Sequence, residues 1–232
     1  MDILDFLQAA KVGDIETLKK LHLEGADINS VNNSGASAVI LASEKNHLNI
    51  VKYLGDHGAD LTIETKMGGT ALNRAAENGN IEMMEYLFEK GARVGSLALI
   101  MAARSGSIEA VKLLVEKGAE IDFQQRWGHT ALMVASKNGH ADVVKFLLNH
   151  GANLMLKDRN GDTAMTIATE NDQEDIAIIL KRAGASYVPK QAKEKTPEPI
   201  DDDSDDDTID DTPDVDDLVS EDEAPDEVDL DD

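Results

Sequence analysis

A Gly-Ala pair recurs along this chain at a nearly constant interval. Successive pairs are separated by 33, 33, 27, 33 and 33 residues, and they lie at Gly25-Ala26, Gly58-Ala59, Gly91-Ala92, Gly118-Ala119, Gly151-Ala152 and Gly184-Ala185. A repeated interval near 33 residues predicts stacked supersecondary units rather than one ordinary globular core. Each unit of such a stack contacts only its neighbours, so the stack exposes a long surface on which binding residues can lie.

Each Gly-Ala pair is followed by two apolar segments with a turn between them. The first segment opens with Thr or Ser, as in Thr70-Ala71-Leu72-Asn73, and ends near a pair of small residues such as Ala75-Ala76. In the second segment the apolar residues are three and four positions apart, as in Val144, Leu147 and Leu148, so they share one helix face. The glycine of the next Gly-Ala pair then ends the helix. This pattern predicts one helix–turn–helix unit per interval.

The repeat resembles the ankyrin repeat, in which a β-turn finger precedes two antiparallel helices and a Thr-Pro-Leu-His motif opens the first helix. Thr70–Asn73 and Thr130–Met133 match this motif at Thr and Leu, whereas Ala replaces Pro and the His is missing. The resemblance covers residues 1–188 in six units. It implies an all-α solenoid of helix–turn–helix units with β-turn fingers. Because the family's His bonds between units, its loss predicts softer coupling.

The fourth unit is six residues shorter than the others. Only Ala92-Arg93-Val94-Gly95-Ser96 separates Gly91 from Leu97, so its finger must be cut back while its helices remain. Two interpretations stay open at this point. The deletion is either a neutral change in a loop or a notch in the row of fingers that admits a bulky part of a partner.

The composition changes abruptly after Val188. Residues 189–232 contain 3 basic and 21 acidic residues, whereas residues 1–188 contain 19 and 25. A segment with a net charge of −18 and no aromatic residue cannot bury enough apolar surface to offset its ordering entropy. We therefore predict three parts: an ankyrin-repeat domain at 1–188, a linker at 189–200, and a disordered acidic tail at 201–232.

Three roles for the tail remain open from the sequence. It is a solubility brush, an electrostatic arm for a basic client such as a ribosomal protein or histone, or a cover over basic patches of the repeats. Ser204 and Ser220 precede acidic triplets, a pattern that resembles sites of acid-directed kinases. Each phosphate would add about −1.5 to −2 charges.

Catalytic chemistry has little support in the sequence. The chain has no cysteine, so it has no thiol nucleophile or thiolate metal site, and we expect no enzyme activity, cofactor or metal. The histidines fall at repeat positions. Zero cysteine and the absence of an apolar leader at Met1 favour an intracellular protein, cytoplasmic or nuclear. No apolar run approaches 18 residues, which argues against a membrane span, and the net charge of −24 argues against nucleic acid.

The residues that the repeat does not need are the candidates for binding. The finger tips and the ends of the first helices line one face of an ankyrin array, and Trp127, the only tryptophan, lies at a tip. Exposed Trp and Arg are favoured interface anchors. The predicted partner-binding residues are Trp127, Arg126, His129, Met67, Lys66, Arg104, Lys137 and Arg159.

These observations predict a monomeric, non-enzymatic module that binds a protein partner through its finger tips and concave helices. Two alternatives remain. One is a chaperone or escort that shields a basic client with the acidic tail. The other is an adaptor or effector scaffold that delivers a partner to a larger assembly, including a secreted effector of a host-associated microbe. Dependence of binding on salt and on the tail would favour the chaperone over the adaptor.

Overall fold

The computed structural model of the 232-residue chain describes residues 3–95 and 97–186. Within these ranges the regular structure is twelve α-helices with one isolated β-bridge, which confirms the all-α prediction. The helices are α1 (Ile3–Val12), α2 (Ile15–Leu23), α3 (Ala38–Glu44), α4 (Leu48–Asp56), α5 (Ala71–Glu77), α6 (Ile81–Glu89), α7 (Ala98–Ser105), α8 (Ile108–Glu116), α9 (Ala131–Lys137), α10 (Ala141–Asn149), α11 (Ala164–Glu170) and α12 (Glu174–Arg182).

The helices form six antiparallel pairs that stack in chain order. The odd-numbered first helices pack on one another, and the second helices from α4 to α12 pack beside them. Small residues permit the close approach of the first helices, since Ala75, Ala102 and Ala135 are fully buried. Leu132 is also buried, whereas Lys137 at the end of α9 is exposed. The apolar faces predicted from the spacing are therefore the faces that join the units.

The helix ends follow from the residues at the turns. Thr70, Thr130 and Thr163 each cap a first helix by accepting a backbone N–H bond three residues ahead, at 3.1, 3.2 and 3.3 Å. Such caps satisfy donors that the first helical turn leaves unpaired. Between the paired helices, Gly139 has φ +81°, and the equivalent residue in the last unit is Asp172 with φ +56°. Asp tolerates this left-handed conformation better than most residues do.

Side chains also connect successive units. The Asn78 amide donates to the carbonyls of Ser43 and Glu44 at 2.9 and 3.0 Å. His140 donates from Nε2 to the carbonyl of Arg104 at 2.8 Å. These bonds link the turn of one unit to the turn before it. They show that a histidine of the repeat has a structural role, as its position predicted, while the softer coupling expected from the missing motif His stays a prediction.

An ion pair connects the second helices α4 and α6. Lys90 Nζ lies 2.7 Å from Asp56 Oδ1, and the Tyr86 hydroxyl donates to the same oxygen at 3.0 Å. The hydrogen bond from Lys90, followed by that from Tyr86, lowers the pKa of Asp56 below its ordinary value, and the bond to Asp56 raises the pKa of Lys90. The pair is exposed, so we expect it to set register between the units more than to stabilise them.

Several predictions fall outside the described ranges. The domain boundary at 188, the linker at 189–200, the acidic tail at 201–232 and the two serines of the tail, Ser204 and Ser220, all lie there and stay predictions. In the part of the chain that the structure describes, no helix has the length and apolar character needed to cross a membrane.

Candidate protein-binding surface

Fingers connect each second helix to the first helix of the next unit. Finger 1 is residues 24–37, finger 2 is 57–70, finger 3 is 90–97, finger 4 is 117–130 and finger 5 is 150–163. Each complete finger ends in a tight hairpin closed by the same two backbone bonds. In finger 4 these are Gln125 N–H to the His129 carbonyl at 3.1 Å and Gly128 N–H to the Gln125 carbonyl at 2.7 Å. Gly128 has φ +83°, a conformation that glycine adopts at little cost.

Fingers 4 and 5 are in direct backbone contact. The Arg159 N–H donates to the Trp127 carbonyl at 3.0 Å. A Cβ atom on Gly128 would lie only 2.8 Å from the Cα atom of Asp158, so the glycine permits the two fingers to approach each other. The bond between backbones and the close approach hold the tip of finger 4 against finger 5. A tip that is already held in place loses less entropy when a partner binds.

Trp127 lies at this tip between two arginines. Its side chain is 41% exposed, which is high for the largest apolar residue type. The guanidinium carbons of Arg126 and Arg159 lie 5.8 and 5.2 Å from the ring centroid. Cations at this distance are attracted to the ring, and they hold it in place without burying it. The predicted trio of Trp127, Arg126 and Arg159 is therefore brought together.

His129 contacts Asp158, a residue that sequence reasoning missed. His129 Nε2 lies 3.2 Å from Asp158 Oδ2, and Gln125 contacts the other ring nitrogen at 3.1 Å. Asp158 is nearly buried, and its Oδ1 accepts the N–H groups of Asn160 and Asp162 at 2.8 and 2.9 Å. The signal was present in the sequence, since Asp at the start of a turn commonly accepts such bonds. His129 therefore supports the finger, and its contact with a partner stays a prediction.

Met67 and Lys66 lie on finger 2, away from this trio. Met67 is 79% exposed and occupies the hairpin position that Trp127 occupies in finger 4. The sequence suggested one apolar spot on neighbouring fingers. In the structure finger 3 lies between them in the stack, so Met67 and Trp127 belong to separate pairs of fingers. Lys66 also joins its own neighbour, because its N–H donates to the Ser34 carbonyl of finger 1 at 2.9 Å.

A family comparison explains this arrangement of helices and fingers. The model of the family "ankyrin repeats (3 copies)" matches residues 6–97 and again 99–191, which together are well over half of the chain. The chain belongs to the ankyrin-repeat family. Ankyrin repeats are protein–protein interaction modules, and the fold is generally non-enzymatic.

Solved ankyrin structures share the arrangement. A chain in the structure of the Bd0816 predatory endopeptidase from Bdellovibrio bacteriovorus in complex with immunity protein Bd3460 is 28% identical, with a TM-score of 0.69. The match covers 77% of this chain and 97% of that one. The human ASB11 ankyrin repeat domain is 26% identical, with a TM-score of 0.70, and the match covers 82% of this chain and 88% of that one.

A curated relative shares a shorter segment. The eye-specific diacylglycerol kinase of Drosophila melanogaster is 44% identical over 48 residues. That segment is 21% of this chain and 3% of the kinase. The match spans far too little of the enzyme to carry its activity to this ankyrin chain.

The remaining predicted cations lie at the ends of two first helices. Arg104 is the last residue but one of the first helix α7, and Lys137 is the last residue of α9. Both side chains are exposed. In the described part of the chain, no ion pair forms at the five predicted cations, which are Lys66, Arg104, Arg126, Lys137 and Arg159. Other cations are paired with acids, namely Lys52 of α4, Arg74 of α5 and Lys90 at the end of α6. These five cations are candidates for contact with a protein partner.

The acidic and histidine side chains of the described residues form no candidate metal cluster. Over residues 3–95 and 97–186 there is no group of three or more His, Asp or Glu side chains that could hold a metal ion. His57 and His150 donate from Nδ1 to the carbonyls of Tyr53 and Phe146, at 2.7 and 2.8 Å, within their own helices. These histidines have the structural role that their repeat positions predicted.

Proposed function

We propose that this ankyrin chain is a monomeric, intracellular, non-enzymatic module that binds a protein partner through its finger tips and first helices. The observation that carries the proposal is Trp127, which is exposed and flanked by Arg126 and Arg159. Tryptophan and arginine dominate the binding energy of protein interfaces. The unpaired cations of the same face favour a partner whose docking surface is acidic.

The first prediction for this function concerns Trp127. Affinity purification with the full chain would supply the partner, and its affinity would then be measured for Trp127→Ala. We expect a loss of about 2 kcal/mol or more, roughly 30-fold in Kd, because the variant removes the anchor of the surface. The free energy of unfolding should change little, since the ring is not part of the core.

Three variants serve as controls for this measurement. Arg126→Ala and Met67→Ala should weaken binding less than Trp127→Ala does. Lys19 lies in α2 of the first unit, several units away from Trp127 in the stack, so Lys19→Ala should leave the affinity unchanged. If Trp127→Ala unfolds the array or leaves the affinity untouched, the finger tips are not the binding surface.

A second candidate function is an escort of a basic client, and the net charge of −18 over residues 189–232 favours it. An acidic segment attracts a basic partner over a distance, but salt screens the attraction with a length of about 8 Å at ~0.15 M. The repeats form a compact unit over Met1–Pro189, so a truncated chain of residues 1–188 is a fair comparison.

The second prediction follows from that comparison. Deleting residues 189–232 should slow association with a basic partner more than it speeds dissociation, because long-range attraction acts mainly on encounter. Surface-based kinetics of both chains over a series of salt concentrations would measure this. Binding that is indifferent to both salt and the tail would instead favour an adaptor that uses the finger row alone.

A further inference from the structure

The row of fingers is interrupted at finger 3. The interruption is evident when the surroundings of three equivalent glycines are compared. A Cβ atom on Gly35 of finger 1 would meet the backbone of finger 2 at 3.3 Å, and one on Gly128 would meet finger 5 at 2.8 Å. At Gly68 of finger 2 the nearest atom among the described residues is the end of the Leu97 side chain, at 3.7 Å. We call the space between fingers 2 and 4 the notch.

The notch leaves backbone groups unpaired on both of its walls. In the intact pairs of fingers, the N–H groups of Lys66 and Arg159 donate to the carbonyls of Ser34 and Trp127. The corresponding groups at the break are the Met67 carbonyl and the Arg126 N–H. Neither has a hydrogen-bond partner within residues 3–95 and 97–186. An unpaired acceptor and donor that face one gap resemble two sheet edges, which invite another chain to pair with them.

The side of α5 that faces finger 3 carries a further unpaired group. Asn73 is 3% exposed, and its amide nitrogen donates to the Gly68 carbonyl at 3.2 Å. Its Oδ1 has no hydrogen-bond partner among the described residues, and a Cβ atom on Gly95 of finger 3 would lie 3.5 Å from it. A buried acceptor without a partner costs about 1–3 kcal/mol, so a donor that enters here would gain that energy.

The spacing of the stacked units sets the width that we expect for the notch. Helices in contact are 8–10 Å apart, so the loss of one finger opens a gap of about that size. Two paired strands, each about 4.8 Å wide, need the same space. The gap therefore accepts a two-stranded turn in the position that the missing finger would occupy.

We propose that the notch binds a β-hairpin turn of the partner protein, and that this turn carries an acidic residue. The proposal rests on the proposed function, because it takes the partner to be a protein. The hairpin would donate to the Met67 carbonyl and accept from the Arg126 N–H, as a complete finger does. Pairing through the backbone supplies affinity, and the side chains around it supply selectivity.

Charge around the notch selects the acidic turn. Lys66, Arg93 and Arg126 are exposed and lie on the two walls and in finger 3, and none of them has an ion pair in the described residues. Met67 adds exposed apolar surface on one wall. A carboxylate at the tip would meet these cations, whereas a lysine there would be repelled.

The test uses the chain's own finger as a probe. A cyclised peptide of residues 62–71 that carries Lys66→Glu copies a complete finger with an acidic tip. Titrated into the full-length protein, it should slow hydrogen exchange at the Arg126 N–H and shift the side-chain amide resonances of Asn73. The same peptide with its native lysine should bind about tenfold more weakly at low salt.

Two protein variants locate the binding. The first variant has a six-residue insertion that gives finger 3 the sequence of finger 2 and so fills the notch. It should reduce the affinity for the peptide at least tenfold without changing the midpoint of unfolding. Arg126→Glu should reduce the preference for the acidic peptide about tenfold. Lys157→Glu on finger 5 is a matched charge reversal away from the notch, and it should change the affinity less than about twofold.

Each outcome decides one claim. Equal binding by the filled variant, or no protection at Arg126 on peptide titration, overturns the hairpin site. If the filled variant does not fold, the exchange data and Arg126→Glu still decide. The effect of Trp127→Ala on the natural partner is a separate test. If Trp127→Ala weakens binding of the natural partner but the peptide does not bind, only the hairpin site is wrong. If Trp127→Ala has no effect on the natural partner, the proposed function is wrong.

Discussion

Leu132→Asp should lower the free energy of unfolding by about 3–5 kcal/mol. Leu132 is 2% exposed in α9 and packs in the core that joins the fifth unit to its neighbours. The substitution would bury a carboxylate with no partner or would force the units apart. Chemical denaturation followed by circular dichroism would measure the loss, and hydrogen exchange would show whether the fifth unit opens first, since repeat arrays melt locally when one interface fails.

Lys137→Ala is the matched control in the same helix. Lys137 is exposed and has no ion pair in the described part of the chain, so its removal should cost under about 0.5 kcal/mol. Comparable losses for the two variants would mean that the buried and exposed faces of α9 have been reversed.

Gly128→Ala should also destabilise strongly, by about 3 kcal/mol. Part of the cost, about 1–2 kcal/mol, comes from placing a side chain at φ +83°. The remainder arises because the new Cβ atom would lie 2.8 Å from the Cα atom of Asp158, so finger 5 must move and the bond from Arg159 N–H to the Trp127 carbonyl must break. Faster hydrogen exchange at the Arg159 amide, together with a lower denaturation midpoint, would report both effects.

Gly161→Ala separates these two contributions. Gly161 has φ +84° but would place its Cβ atom in open space, because it belongs to the last finger of the described residues. This variant should show the conformational cost alone and leave the Arg159 amide protected. If both variants lose the same stability, the close contact between fingers 4 and 5 contributes nothing measurable.

Sequence reasoning predicted the helices well, for a simple physical reason. Glycine at the helix ends, Thr at the caps and apolar residues three and four positions apart each act within one unit, so their meaning can be read locally. The turn residues of the last unit show the same point, because Asp172 adopts the left-handed conformation of the glycine that it replaces. The family match over residues 6–97 and 99–191 agrees with this interpretation.

The candidate surface was predicted only in part because it depends on contacts between units. The flanking of Trp127 by Arg159 requires residues 32 positions apart to meet, and the burial of Asp158 depends on its own backbone turn and on His129. The gap in the row of fingers could be predicted from the sequence, because the fourth unit is six residues shorter than the others. That it leaves Met67 and Arg126 with unpaired backbone groups could be seen only once the neighbouring fingers were in place.

The interrupted row has a consequence for avidity. Fingers 1 and 2 form one bonded pair, fingers 4 and 5 form another, and the continuous stack of helices connects the two pairs. A ligand that touches both pairs makes its second contact at a high effective concentration, so two weak contacts combine into a strong one. The gain vanishes for a ligand whose two contact points have the wrong spacing. The helical stack would therefore select ligands by the distance between their two contact points as much as by their chemistry.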